Sequence, residues 1–517
     1  MSTRVAVAAP NRQCADAALS VADAGGGATD AAVAAMLVAM VTEPGIVSLA
    51  GGAYATVWPA GSPSAVIVDG QVAMPGLDRP TDASPPDVRV VRTGYGAGLT
   101  MTVGAGSVAT PGALAALDQV QSRYGRLPWR EVVAPAAACV RDGFLLGAAA
   151  GHYLPFVRDT VYAWDPRTAA ALRDPAGEWV GVGERFAIDD LAATLETIAE
   201  EGARTLYSGA LAAALAADQQ ERGGLVTATD LATYQPQLRD ALAFPSGRWE
   251  LRTNPPPSIG GPVLAALLLL LGDRPRGQWT AEDVAHLVEV QHQVLEFRRR
   301  RIDLADDRTA AAQDLLALAG QGISGSASTA HVSVVDSTGT ACAITASSGY
   351  GSGATVPGTG LWLNNCLGEH ELNRGGPPAP GHRLASNMAP TVGRSRDGAV
   401  LAIGTPGADR ITTALAQVLA AFTRGGAALQ QAIDRPRLHV HHLDDDDSTE
   451  DGPVRVEVEA DLPHPVLDVP VRTHPARSMY FGGVGAALLD ERGRLDAAAD
   501  PRRDGATGIS PAAVAAL

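Results

Sequence analysis

Cysteine is scarce in this 517-residue chain. Cys14, Cys139, Cys342 and Cys366 are the four present, and no two lie close enough to form a metal knuckle or a redox motif. That excludes a disulfide-stapled scaffold and fits reduced thiols in the cytoplasm. Lysine is absent, and 40 basic residues face 56 acidic ones, giving a formal charge of −16 and a pI near 5.1. A surface that neutralises phosphates needs clustered cations, so nucleic acid is excluded as a partner. The one basic cluster, Arg298 to Arg301, runs into Asp303, Asp306 and Asp307 and is expected on a mixed-charge helix face. Long apolar runs are missing too. Ala31 to Val41 and Val263 to Leu271 fall short of the roughly 20 residues that a membrane span needs, and both are expected as buried helices. The opening "MSTRVAVAAPNRQCADAALS" lacks a basic start followed by an unbroken apolar core, so no secretory signal is expected. What the chain does have is 46% hydrophobic content, enough for a large core.

The order of patterns points to an α+β protein. "GGGATDAAVAAMLVAMVTEPG" predicts a glycine-led helix closed at Glu43-Pro44-Gly45, and "GGAYATVWP" predicts a short strand after it. The middle third reads as mostly helical, with helix-period apolar positions in "LAATLETIAEEGA", "GALAAALAADQQERGG" and "AEDVAHLVEVQHQVLEFRRRR". "NPPPSIGGPV" predicts a rigid turn before a buried helix. From Thr329 the texture turns to β: "AHVSVVD" and "ACAITAS" flank the turn "STGT", and "GAVLAIGTPG", "VRVEVEA" and "YFGGVGAALLD" follow, with the helix "DRITTALAQVLAAFTRG" among them. Helices in runs and strands in runs imply layers of helix on antiparallel sheet. The segment "HVHHLDDDD", His439 to Asp447, has metal-ligand residue types. Four adjacent acids cannot all point at one ion and mark a solvated loop, so no metal is expected.

Ser324 to Ser328 form a small-residue stretch directly before a strand that opens with Thr329. One explanation is a plain surface loop. The other is a cleavage point between Ser328 and Thr329, because an N-terminal threonine carries its own base. Its freed α-amine has a reference pKa near 7.7–8.0, suited to activating the neighbouring hydroxyl.

The surrounding blocks decide between these. "TAHVSVVDSTGTACAITASS" resembles the opening of the small subunit in the gamma-glutamyltransferase family (gamma-glutamyltranspeptidases, or glutathione hydrolases), which belongs to the N-terminal nucleophile hydrolases. "GGGATDAAVAA", "EPGIVSLAGGAYATVW", "VGAGSVATPGALAALDQVQSRYGRLPW", "VRDGF" and "PPPSIGGPV" resemble the large subunit; "LWLNNCLGEHELN", "LASNMAPT", "IGTPGADRITTALAQVL", "AIDRPRLHV" and "DPRRDG" resemble the rest of the small one. The resemblance implies a four-layer αββα sandwich made of two fragments, 1–328 and 329–517, that stay together as one structural unit. It implies Thr329 as nucleophile and, through its amine, as base. Ser347 falls where the family has a second threonine that hydrogen-bonds the nucleophile, and Gly407 and Ala408 fall on the oxyanion-hole glycines. Alanine is tolerable there because the donor is a backbone N–H.

The same alignment implies an altered acyl pocket. The arginine that clamps the γ-glutamyl α-carboxylate is Gln71 here, a neutral amide in place of a charged fork. Ser386 is kept beside Asn387, which replaces a second serine. Glu369 stands for the aspartate that meets the α-amine, and Gly349 for an asparagine. The stretch from Glu369 to Ser386 is shorter than the lid-bearing segment of many members, which implies a more open cleft. Classical γ-glutamyl transfer is therefore expected to be weak, and the acyl donor to be another amine-bearing small molecule. The lysine-free, Ala-, Arg- and Gly-rich composition and missing signal resemble intracellular actinobacterial enzymes of specialised metabolism. Among these are enzymes of the 4-alkylproline branch, where a C–C bond to an acyl group is cut. Two other readings stand: ordinary γ-glutamyl transfer or glutathione hydrolysis, and an uncut binding protein. No cofactor and no membrane partner are expected.

Overall fold

Residues 28–42 show how an apolar sequence becomes a central element. All fifteen are buried, so the helix Ala28–Thr42 is enclosed on every side, as a helix without a polar face must be. The Asp30 carboxylate accepts the Gly27 N–H at 2.8 Å and fixes its start, and Pro44 forbids its continuation. The computed structural model describes residues 3–80, 82–95, 98–174, 176–319, 329–442 and 454–511.

Among the described residues, two large antiparallel sheets organise the chain. The first runs across Ala506–Ile509, Val5–Ala9, Ala330–Asp336, Ala341–Ser347, Gly52–Trp58, Val66–Gly70 and Gln237–Asp240. The second runs across Leu495–Ala499, Gly485–Leu489, Val400–Gly404, Thr391–Ser395, Trp249–Thr253 and Leu242–Ser246. Alternation along the strands sorts the layers. Ala330, Val332 and Val334 pack outward on Ala28–Thr42 and its neighbouring helices. Val335, Ala341 and Ala343 face inward and meet Val392, Val400 and Ala402 of the second sheet. The far side of the second sheet buries Leu251, Leu401 and Ile403 against the helices Gly260–Leu270 and Arg410–Thr423. The order is helix, sheet, sheet, helix, the expected αββα sandwich.

Each sheet takes strands from before and after residue 329. The two stretches interdigitate, and neither has a complete core without the other.

His439 to His442, expected in a solvated loop, instead belong to the strand Leu438–His442, with His439 buried. The strands Ala330–Asp336, Ala341–Ser347, Val400–Gly404, Val454–Glu459 and Gly485–Leu489 and the long helices fall where the sequence places them. The hairpin Leu242–Ser246 and Trp249–Thr253 does not, because it lies in the third that reads as mostly helical. The basic cluster also differs in part. Arg298 is buried, with its Nε 2.6 Å from an Asp303 carboxylate oxygen, where the helix widens into a π-turn over Arg298–Ile302. Arg300 keeps the solvated face, paired with Glu296. No helix among the described residues is long and apolar enough to cross a membrane.

Candidate active site

Thr329 immediately precedes the strand Ala330–Asp336 in the first sheet. By alternation Thr329, His331 and Ser333 face the second sheet. The Thr329 side chain is buried, and its Oγ1 has no hydrogen-bond partner among the described residues. A buried hydroxyl without a partner is costly and rare, and here it is the atom that chemistry would use. Ser328 lies outside the described residues.

Register then builds a row. Ala330 pairs with Ala346, Ser347 pairs with Gly52, and Ala53 pairs with Gly70. Continued by one residue, this sets Thr329, Ser347, Gly52 and Gln71 side by side at one end of four adjacent strands, about 14 Å across at the usual strand spacing. Ser347 Oγ accepts the Gly349 N–H at 3.0 Å, which leaves its own O–H free on the face that Thr329 shares. Gly52 makes the row possible, since a Cβ there would stand 2.5 Å from Gln71 Oε1.

The second sheet brings the oxyanion candidates. Gly404 ends its strand against the His331 ring, and the chain continues through Pro406, which lines the same cleft as Thr329. Gly407 has φ 142° and Ala408 has φ 53°, and the helix Arg410–Thr423 starts directly after them. Neither backbone N–H bonds to another described residue. Two free N–H groups before a helix N-terminus form a ready anion cradle. His331 belongs to the scaffold: Nδ1 meets Thr345 Oγ1 at 2.8 Å, Nε2 meets Ser333 Oγ at 2.7 Å, and burial pushes its pKa down to about 3.

The acyl-pocket residues gather in two groups. Gln71 donates Nε2–H to the Ala385 carbonyl at 3.1 Å, next to Ser386 and Asn387. Ser386 Oγ accepts the Met388 N–H at 3.2 Å, and both amide atoms of buried Asn387 lack a partner. In the second group a Cβ on Gly349 would lie 3.1 Å from Glu369 Oε1, so an asparagine here would crowd that carboxyl. Glu369 Oε2 is buried without a partner. Burial, and then the nearby Glu371, push its pKa well above the usual carboxylate range. The 369–386 segment folds back along the Gln71 strand: Leu384 N–H donates to the Val72 carbonyl and Met74 N–H to that of His382.

The raised pKa favours the protonated form of the Glu369 carboxyl. Below its raised pKa it offers an incoming amine only a neutral hydrogen bond; above it, a charge-assisted pair. KM for an amine-bearing donor is expected to fall as pH rises through that pKa. Glu369→Gln is expected to flatten this limb and raise KM about tenfold or more, with kcat less affected. The buried carboxyl weakens folding as pH rises from its unfolded value toward the folded one, so at neutral pH the variant is expected to melt no lower than the parent. Steady-state kinetics against pH and a thermal melt test this.

Some residues at the site are not singled out by sequence reading. Glu43 lines the cleft with Thr329, accepts from Asn11 Nδ2 at 2.7 Å, and is raised by burial to about 7. Its only sequence signal is a carboxylate closing a largely apolar helix. Asn365 takes the Tyr350 N–H at 2.6 Å and steadies the turn carrying Gly349.

The model of the family described as gamma-glutamyltranspeptidase matches residues 14–320 and 290–510. The chain belongs to this family. Among curated relatives, the acylase ACY 1 proenzyme of Pseudomonas sp. (strain V22) is 30% identical over 518 residues, covering 93% of this chain and 89% of that protein. The glutathione hydrolase 5 proenzyme of Mus musculus is 30% identical over 487 residues, covering 85% and 82%. In fold, the transpeptidase-family chain is similar to cephalosporin acylase from Bacillus halodurans, with TM-score 0.78, 22% identity, and 98% and 96% coverage. This family member is a gamma-glutamyltransferase-like hydrolase or transferase built on the N-terminal nucleophile hydrolase fold.

Proposed function

We propose that this enzyme cuts itself between Ser328 and Thr329. The freed threonine then takes an acyl group from an amine-bearing donor other than a plain γ-glutamyl amide. In the precursor step the Thr329 hydroxyl attacks the Ser328 carbonyl carbon, the peptide C–N bond breaks toward the threonine amine, and water opens the resulting ester. Residues 1–328 and 329–517 remain as partners through the shared sheets.

In turnover the α-amine accepts the hydroxyl proton as Oγ1 attacks the donor carbonyl. The tetrahedral oxyanion lies on the Gly407 and Ala408 N–H groups, and Ser347 steadies Oγ1 from the adjacent strand. The leaving atom, nitrogen of an amide or an activated carbon, departs with the proton held by the amine, and water or an acceptor amine releases the acyl group. Gln71, Ser386 and Asn387 hold the far end of the donor by neutral hydrogen bonds, and Glu369, across from Gly349, takes its amine.

One observation carries the choice of donor. At the carboxylate end the Gln71 amide is turned to a backbone carbonyl, and Arg383 nearby is committed to the Gln235 carbonyl and the Tyr234 ring. Among the described residues no cation takes the place of the clamping arginine at Gln71, while Glu369 Oε2 is left unpartnered to meet an amine. A relative named as an acylase supports the same direction. The resemblance to intracellular enzymes of specialised metabolism favours a donor of that kind, the 4-alkylproline branch included. A chromogenic γ-glutamyl anilide in steady state tests this. The expected kcat/KM is about 100-fold or more below that of a glutathione hydrolase assayed in parallel, since losing a buried charged partner costs of order 3 kcal/mol. Equal turnover would restore ordinary γ-glutamyl transfer.

A further inference from the structure

Directly beyond the oxyanion turn, Asp409, His439 and His441 bring one carboxylate oxygen and two imidazole nitrogens within 4.8 Å of one another. Asp409 Oδ2 lies 3.1 Å from His439 Nε2 and 3.7 Å from His441 Nδ1. Bonds of 2.0–2.1 Å in a tetrahedron place neighbouring donor atoms about 3.3 Å apart, between these two separations.

Thr413 Oγ1 donates to the Arg410 carbonyl at 3.2 Å, so it is free to accept the His439 Nδ1–H at 3.1 Å. With that tautomer the Nε2 lone pair faces Asp409 Oδ2, and a cation can sit between them; with the other, Nε2–H donates to the same oxygen. Asp409 Oδ1 is paired with the Arg410 guanidinium, which leaves Oδ2 to face the two imidazoles. His441 Nδ1 is a buried atom without a hydrogen-bond partner, yet the His441 side chain is one-third exposed, so an ion has a way in. Thr413 behind His439 is the outer partner that fixes a ligand's tautomer.

We infer that Asp409, His439 and His441 bind a zinc-class divalent cation, which ties the oxyanion turn to the strand Leu438–His442. Two imidazoles and one carboxylate suit such an ion, with the remaining position open to water. Two of these ligands come from the "HVHHLDDDD" stretch, whose run of acids gave no reason to expect a metal. The third, Asp409, is 30 residues away in sequence.

The test uses the full-length purified chain, stripped with chelator and titrated with zinc chloride by calorimetry, with metal content measured after desalting. One zinc per chain is expected, together with a rise in melting temperature. His441→Ala and Asp409→Asn should each weaken binding about tenfold or more and lose the thermal shift. His442→Ala, whose residue stacks on His292 and meets Glu296, should leave binding unchanged. Cobalt in place of zinc should give visible bands of a tetrahedral N/O site, absent in His441→Ala. If His441→Ala does not fold, Asp409→Asn decides. Failure to retain zinc at one per chain, binding unchanged in His441→Ala and Asp409→Asn, or loss only in His442→Ala would overturn the assignment.

Discussion

Thr329→Ala is expected to yield one uncut band near 53.0 kDa and to lose at least about 10⁴-fold in kcat on any donor. On the proposed mechanism both effects have one cause, because the same Oγ1 would attack the Ser328 carbonyl in the precursor and the donor carbonyl in turnover. The side chain is buried and its hydroxyl unpartnered, so removing it breaks no hydrogen bond among the described residues. The variant should therefore melt within a few degrees of the uncut parent, which separates lost chemistry from lost fold. Thr329→Ser keeps a hydroxyl and should still process, more slowly. Intact mass spectrometry reads processing, and a donor assay reads activity.

The second large effect is expected at Gly407. Its φ of 142° is open to glycine and hostile to other residues, and an added Cβ would lie 2.8 Å from Gly482 Cα, a backbone atom that cannot step aside. Gly407→Ala should turn the N–H away from the developing oxyanion, and losing one such donor costs about 10²–10³-fold in kcat. KM should change little, because the interaction belongs to the transition state. Ala408→Gly is the contrast. Ala408 already sits at φ 53°, so glycine relieves strain there while adding freedom to the unfolded chain. Activity should be kept and stability should change by less than about 1 kcal/mol. If Gly407→Ala kept full kcat, the cradle would have to lie elsewhere.

What the sequence made legible follows from how each element is buried. The strand beyond Thr329 and its partner "ACAITAS" announce themselves through a turn between alternating runs. The hairpin of residues 242–253 carries Pro245 and a Gly247-Arg248 corner inside a helical stretch, and its apolar face is defined only by the second sheet. Arg298 reads as surface charge because its partner Asp303 appears in sequence as one more acid in a mixed run.

The family blocks offered Thr329, Ser347, Gly407 and the Gln71 substitution as candidates, because chain order alone aligns them. They could not show that Gln71 gives one Nε2–H to the Ala385 carbonyl or that Glu369 keeps an oxygen unpaired. Both are outcomes of packing between distant segments. Asp409 and Glu43 went unnoticed for the same reason: each is one carboxylate whose partners are brought to it by the fold.

Edman degradation of catalytically active material tests the role of Thr329 most directly. Two N-termini are expected, one belonging to the start of the chain and one reading Thr-Ala-His-Val, with the second appearing in step with activity. Active protein that remains a single uncut chain, or that is cut elsewhere, would contradict a threonine serving as nucleophile and base together.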